Sequence, residues 1–142
     1  MSLDFSPFEN AIRQLEDAID YSQSELARND AKLAEILRSA VIQAFEFTHD
    51  LSFKMLRRYL ESIDENPSQI EKLSFSNLIR AGNAQGLLSE ELAVWLQFRD
   101  QRNITSHTYD GVKAQRVFEQ VPMFLREAKF LSSQLHAQQD QG

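Results

Sequence analysis

Three observations predict an all-α protein, an antiparallel up-and-down helical bundle of four long helices plus a short one. Four glycines and three prolines are few for 142 residues, and long stretches contain neither. Apolar residues recur at three- and four-residue steps along most of the chain. One stretch, from about Asn29 to Ile63, carries no helix breaker.

"SPFE" at Ser6–Glu9 reads as a helix start, with Ser6 as N-cap, Pro7 at the first position and Glu9 closing a capping box. Phe8, Ile12, Leu15, Ile19 and Leu26 then keep helical spacing, which predicts a first helix to about Asn29. Asn29 or Asp30 caps a second helix that continues to about Ile63. Val41, Ile42, Ala44, Phe45, Phe47, Leu51, Phe53, Met55, Leu56 and Tyr59 cover most of its circumference. Only a narrow polar strip of Gln43, Glu46, Asp50, Lys54 and Arg57 is left. A helix wrapped that widely is central to a bundle or faces a second subunit.

"DENPSQ" reads as a loop. A short third helix is expected from about Ser74, with Gly86 as its stop. Ser89 then caps a fourth helix, with Glu90 and Glu91 well placed against its dipole. Gly111 closes that region. The last helix is expected from about Val112 to Leu135, kinked or briefly broken before Pro122. Residues 137–142 are expected to fray, and residues 1–142 to form one domain.

At 42% hydrophobic and 25% charged residues the chain can bury a core and stay soluble. With no cysteine, disulfides, thiolate nucleophiles and cysteine-ligated zinc are excluded. No run approaches the length of a transmembrane helix, and "MSLDFSPFEN" has no signal-peptide pattern, so a cytoplasmic protein is expected. A net charge of −6 argues against broad nonspecific binding to nucleic acid but leaves room for a local cationic site.

Such a site is suggested on the fourth helix. Leu92, Trp95 and Leu96 share a face that continues at helical steps through Arg99, Arg102, Asn103 and Ser106, with His107 at its edge. The stripe turns from apolar to cationic halfway along. Burying arginines without partners costs several kcal/mol, so this end is expected to open onto a cleft, a partner or an anion. A guanidinium matches phosphate oxygens, and an imidazole moves protons near neutral pH. Arg102 and His107 together suit metal-free RNA cleavage, in which the 2′-hydroxyl attacks its own phosphate. Taken alone, the spacing favours a solvated helix end carrying a hydrogen-bonded histidine.

"RNITSHTYD", "FEFTHDLSFKMLRRYLE" and "LIRAGNAQGLL" are three motifs separated along the chain, the last two upstream of the first. Together they resemble the HEPN superfamily, and more narrowly its nucleotidyltransferase substrate-binding proteins, from "LDFS" to "VPMFLREAKFL". The resemblance implies a helical homodimer whose arginine–histidine motifs line a shared cleft. It implies Arg102 and His107 as the catalytic pair, with Asn103 supporting. From the helix face, Arg99, one turn before Arg102, is a candidate phosphate contact and Ser106 a further supporting residue. The resemblance also implies a partner, a minimal nucleotidyltransferase (MNT) acting as antitoxin to a toxin ribonuclease. In family members ending histidine-x-tyrosine the tyrosine is adenylylated, and His107-Thr108-Tyr109 matches that ending. Tyr109 also admits a plainer role, as an apolar plug at the helix end.

Other candidate sites are weaker. Glu46-x-x-His49 has the step of a di-iron ligand pair, but neither His107 nor His136 has a glutamate three residues before it. No metal or other cofactor is expected, and His49 is read as a satisfied, half-buried histidine. "KMLRRYL" is either an addition to an RNA surface or a solvated helix edge. Trp95 is placed as a candidate border of the cleft. The apolar pattern of the fourth helix, Val94 and Phe98 opposite Leu92 and Leu96, favours a second subunit. Two functions remain: a metal-independent endoribonuclease acting on RNA, and a noncatalytic substrate-binding subunit of a nucleotidyltransferase complex.

Overall fold

The structure, a computed structural model, describes residues 3–104 and 110–141. Among these it is built of helices: α1 (Ser6–Ser22), α2 (Glu25–Arg28), α3 (Ala31–Ile63), α4 (Pro67–Glu71), α5 (Phe75–Ala84), α6 (Leu92–Ile104) and α7 (Gly111–Gln141). The four long ones are α1, α3, α6 and α7, as expected. Three shorter helices, not one, fill the connections.

Helix α3 is the axis and packs against each of the other six. Its start is set by Asp30, whose carboxylate accepts the amides of Lys32 and Leu33 at 3.1 Å. Its polar residues Thr48 and Ser52 are buried because each hydroxyl returns to a carbonyl: Thr48 to Ala44 at 2.7 Å, Ser52 to His49 at 2.7 Å. Phe45, Trp95, Phe98 and Phe124 join α3, α6 and α7 at the core, with edge-to-face contacts of 5.2–5.3 Å between Phe45 and Phe124, Trp95 and Phe98, and Phe98 and Phe124. Each such contact contributes about 1 kcal/mol beyond its buried area.

Several sequence expectations are corrected. Ser6 is not the N-cap of α1. Asp4 accepts the Ser6 amide at 2.9 Å, and Glu9 reaches His136 on α7 rather than closing a capping box. The first helix stops at Ser22 because Ser24 starts a new turn, its hydroxyl accepting the Ala27 amide at 3.3 Å. Leu26, which kept the apolar period, is 75% exposed. In "DENPSQ", Pro67 opens the short α4, its fixed φ and missing amide suiting the first turn. Helix α7 runs through Pro122 without a break.

The end of α7 is helical to Gln141 rather than frayed, because it is pinned to both neighbours. Gln139 exchanges two hydrogen bonds with the backbone of Leu3, and Gln138 donates to the Gln85 carbonyl at 2.7 Å. The His136 ring stands edge-on to Phe5 at 5.2 Å. Phe98, counted toward a surface for a second subunit, is instead 1% exposed in the core.

Helix α5 follows the sequence closely. Ser74 caps it through the Asn77 amide at 3.2 Å, and Gly86 ends the turn at φ 74°, which favours glycine. A Cβ on Gly82 would meet Leu88 at 3.0 Å and Leu56 at 3.1 Å, so a larger residue there would have to push these side chains aside where α5 packs on α3. These two glycines account for the shape of "LIRAGNAQGLL".

Candidate active site

The fourth long helix, α6, is held at its start by a residue the sequence did not single out. Glu127 of α7 is 1% exposed and accepts four hydrogen bonds. They come from the Ser89 amide and hydroxyl (3.1 and 2.6 Å), the Glu90 amide (2.8 Å) and the Trp95 indole (2.9 Å). Ser89 therefore does not cap α6 itself; its hydroxyl is engaged by Glu127. The buried carboxylate supplies the negative charge that a helix N-terminus favours. It also fixes the rotation of α6, and so where Arg99 and Arg102 project further along.

Arg102 projects onto α3. Its Nε donates to Asp50 Oδ1 at 2.9 Å and its Nη2 to Asp50 Oδ2 at 3.0 Å, a paired fork. Glu46, one turn earlier on α3, places Oε1 3.4 Å from the same Nη2. Two members of the expected polar strip, Glu46 and Asp50, are thus the partners that the half-buried arginine required. Burial alone would raise the Asp50 carboxyl; the hydrogen bonds and charge of Arg102, with help from His49, hold it below the ordinary value. The bond to Asp50 in turn raises Arg102.

His49 lies beneath this pair, buried rather than half-buried, and it is not satisfied. Its Nδ1 is 3.5 Å from Asp50 Oδ1, too long for a well-formed hydrogen bond, and Nε2 has no partner among the described residues. Its ring is surrounded by Phe45, Phe124 and Trp95, at centroid distances of 5.9, 5.7 and 6.3 Å. Burial lowers its pKa, partly offset by Asp50. Trp95 borders this histidine from inside the core, fully buried, and does not border the cleft.

The cleft has a volume of about 400 Å³ and is lined by His49, Asp50, Phe53, Phe75, Arg99, Arg102 and Asn103. It brings together three of the expected site residues, Arg99, Arg102 and Asn103. Ser106, His107 and Tyr109 lie outside the described residues, as does their geometry relative to Arg102. Sequence reasoning missed Asp50, Glu46, Phe53 and Phe75 as site residues. The available signal was the acidic pair at a four-residue step on α3, which matches the cationic stripe on α6 in length and opposes it in charge. Of "KMLRRYL", Arg57 is neither free cation nor solvated edge. It donates to the Ile70, Glu71 and Leu73 carbonyls at 2.8, 3.0 and 3.3 Å, closing the C-terminal end of α4.

Among the described residues no group of three or more histidine, aspartate or glutamate side chains is arranged to hold a metal ion. No helix among them is long and apolar enough to cross a membrane.

The structure is thus a helical bundle with a guanidinium–carboxylate cleft at one end of α6. The chain belongs to the family described as nucleotidyltransferase substrate binding protein like, whose model matches residues 3–137. A Haemophilus influenzae protein named "Probable ribonuclease HepT" is 41% identical over 101 residues, 71% of this chain and 68% of that protein. A solved Haemophilus influenzae structure superposes with a TM-score of 0.88 at 32% identity, covering 94% of this chain and 99% of the other. It is described as revealing the fold of a substrate binding domain of a nucleotidyltransferase. A crystal structure from Thermus thermophilus superposes at 0.71 with 29% identity, covering 90% of this chain and 98% of the other.

Proposed function

We propose that the chain is a metal-independent endoribonuclease of the HEPN toxin type, cytoplasmic and controlled by an MNT nucleotidyltransferase. The observation that carries this reading is the fork between Arg102 and Asp50 at the mouth of the cleft. It presents a fixed guanidinium at the end of α6, five residues before His107 in the sequence. The relative named as a probable ribonuclease supports it.

In this reading Arg102 faces the scissile phosphate and stabilises charge gathering on its oxygens. His107 accepts the 2′-hydroxyl proton as O2′ bonds to phosphorus, and the bond from phosphorus to O5′ breaks. The leaving oxygen takes a proton, giving a 5′-hydroxyl and a 2′,3′-cyclic phosphate. Asn103, Arg99 and Ser106 support substrate binding. Two copies of the chain form the working unit, with the exposed Tyr21, Ile36 and Phe47 as apolar surface for contact. In the switch, the Tyr109 phenol oxygen attacks the α-phosphorus of ATP and pyrophosphate leaves. The added adenylyl group brings bulk and negative charge against incoming RNA.

The second reading, a noncatalytic subunit presenting substrate to a nucleotidyltransferase, is favoured by one observation. Arg102 is already offset by Asp50 and Glu46, which leaves less charge for a phosphate. RNA cleavage by purified wild-type protein and by His107→Ala separates the two. Cleavage that is lost in the variant supports the ribonuclease; wild-type protein that leaves every RNA intact supports the subunit.

A further inference from the structure

The cleft holds two arginines in different states. Arg102 is held by Asp50 and Glu46. Arg99, one turn earlier on α6, makes no hydrogen bond or ion pair among the described residues, although it is only partly exposed. It is nevertheless held in place: its guanidinium carbon lies 4.6 Å from the centre of the Phe75 ring. Phe75 stacks on Phe53 at 5.2 Å with the rings 16° from parallel. Beyond Phe53 stands Arg57, 5.3 Å from that ring and tied down by three carbonyls of α4 and its end. The result is a column, Arg57–Phe53–Phe75–Arg99, anchored at one end and finishing at the cleft.

We infer that Arg99, stacked on Phe75, is the seat for a nucleobase of single-stranded RNA, next to the position of the scissile phosphate at Arg102. This rests on the ribonuclease reading and names what the cleft holds beside the reacting phosphate. A guanidinium plane and an aromatic column accept any base by stacking and cation–π attraction. A base fits the local charge better than a second phosphate does. Asp50 lines this cleft, Glu46 joins it in pairing with Arg102, and the whole chain is at −6. A neutral, flat ligand meets no repulsion from those carboxylates. The donors on the edge of Arg99 remain for the rim of the same base.

The test is binding, read by fluorescence anisotropy in the cleavage-deficient His107→Ala protein, with Arg99→Ala and Arg99→Lys added to it. The probes are a single-stranded RNA and a set of the same RNA with one abasic site at each position in turn. Arg99→Ala should weaken binding of intact RNA about tenfold. Arg99→Lys, which keeps the charge and loses the plane, should weaken it nearly as much. At one position the abasic RNA should bind the parent protein about tenfold worse and show no further loss with Arg99→Ala. If Arg99→Ala weakens intact and every abasic RNA by one common factor, while Arg99→Lys restores binding, Arg99 is a phosphate contact and the inference is overturned. Binding unchanged in Arg99→Ala overturns it as well. Failure of the parent protein to bind any RNA defeats the ribonuclease reading itself, and this inference with it.

Discussion

Arg102 and Asp50 are joined across α6 and α3 by two parallel hydrogen bonds, of 2.9 and 3.0 Å, that fix the guanidinium at the cleft. The pair sits where α6 ends, and Arg102 is the last cation before the segment carrying His107. Because both side chains are partly exposed, at 27% and 55%, the bond has more to do with position than with stability.

Asp50→Asn should therefore lower RNA cleavage by about 10- to 100-fold through a misplaced Arg102. Its effect on unfolding should stay within about 1 kcal/mol. Asp50 has a depressed pKa, so its contribution is complete above the unfolded value near 4 and fades only as pH falls through the lower folded value. The fork should thus persist at pH 5. Single-turnover cleavage and urea unfolding of the same variant check both halves.

His49 predicts a second pH dependence of opposite origin. Its folded pKa lies below 6.5 because burial disfavours the imidazolium. Between that lowered value and 6.5 the unfolded chain binds more protons, so stability should fall as pH drops from 7 toward 5. His49→Phe should fold, since the site is ringed by Phe45, Trp95 and Phe124 and neither nitrogen is well bonded. The variant should lose less stability than wild type over that range in urea titrations. Equal losses would remove His49 as the cause.

Glu127→Ala should be among the most destabilising changes, by about 3 kcal/mol or more, because it strands the donors of Ser89, Glu90 and Trp95. Glu127→Gln keeps the shape but sets an amide donor against two of them, and should recover part of the loss. Chemical denaturation measures both. An effect below 1 kcal/mol for Glu127→Ala would show that Glu127 does not hold α6.

Gly82→Val should destabilise by about 2 kcal/mol, since Leu88 and Leu56 already stand 3.0 and 3.1 Å from where the first carbon would go. Thermal unfolding with unchanged helicity in the cold is the expected signature.

How much of this was legible follows from which signals are local. The cap at Asp30, one of the two residues offered, the helix start near Ser74 and the Gly86 stop are short-range, and each appears where the sequence placed it. The break after Ser22 was hidden because Leu26 keeps the period of a helix that has already ended. Pro122 suggested a kink or a short break, and the helix runs through it without the break. Glu127 was not singled out, yet it shares a face with Phe124, Ala128 and Leu131, all buried. A carboxylate on that apolar stripe was the signal to read. Of the site, Arg99, Arg102 and Asn103 were found from one helix face. Asp50 and Phe75 were not, because nothing linear links α3 and α5 to α6.

Tyr109 should take up adenylate when the protein is incubated with the partner nucleotidyltransferase and ATP, a mass gain absent from Tyr109→Phe. Modification of Tyr109→Phe to the same extent would place the switch elsewhere.

Whether Arg102 and His107 cleave RNA without a metal is decided by the chemistry of the RNA ends that the purified protein leaves in EDTA. The expected products carry 2′,3′-cyclic phosphate or 3′-phosphate ends facing 5′-hydroxyls, undiminished by the chelator and lost in Arg102→Ala and His107→Ala. Products with 5′-phosphates, or cleavage that EDTA abolishes, would contradict it.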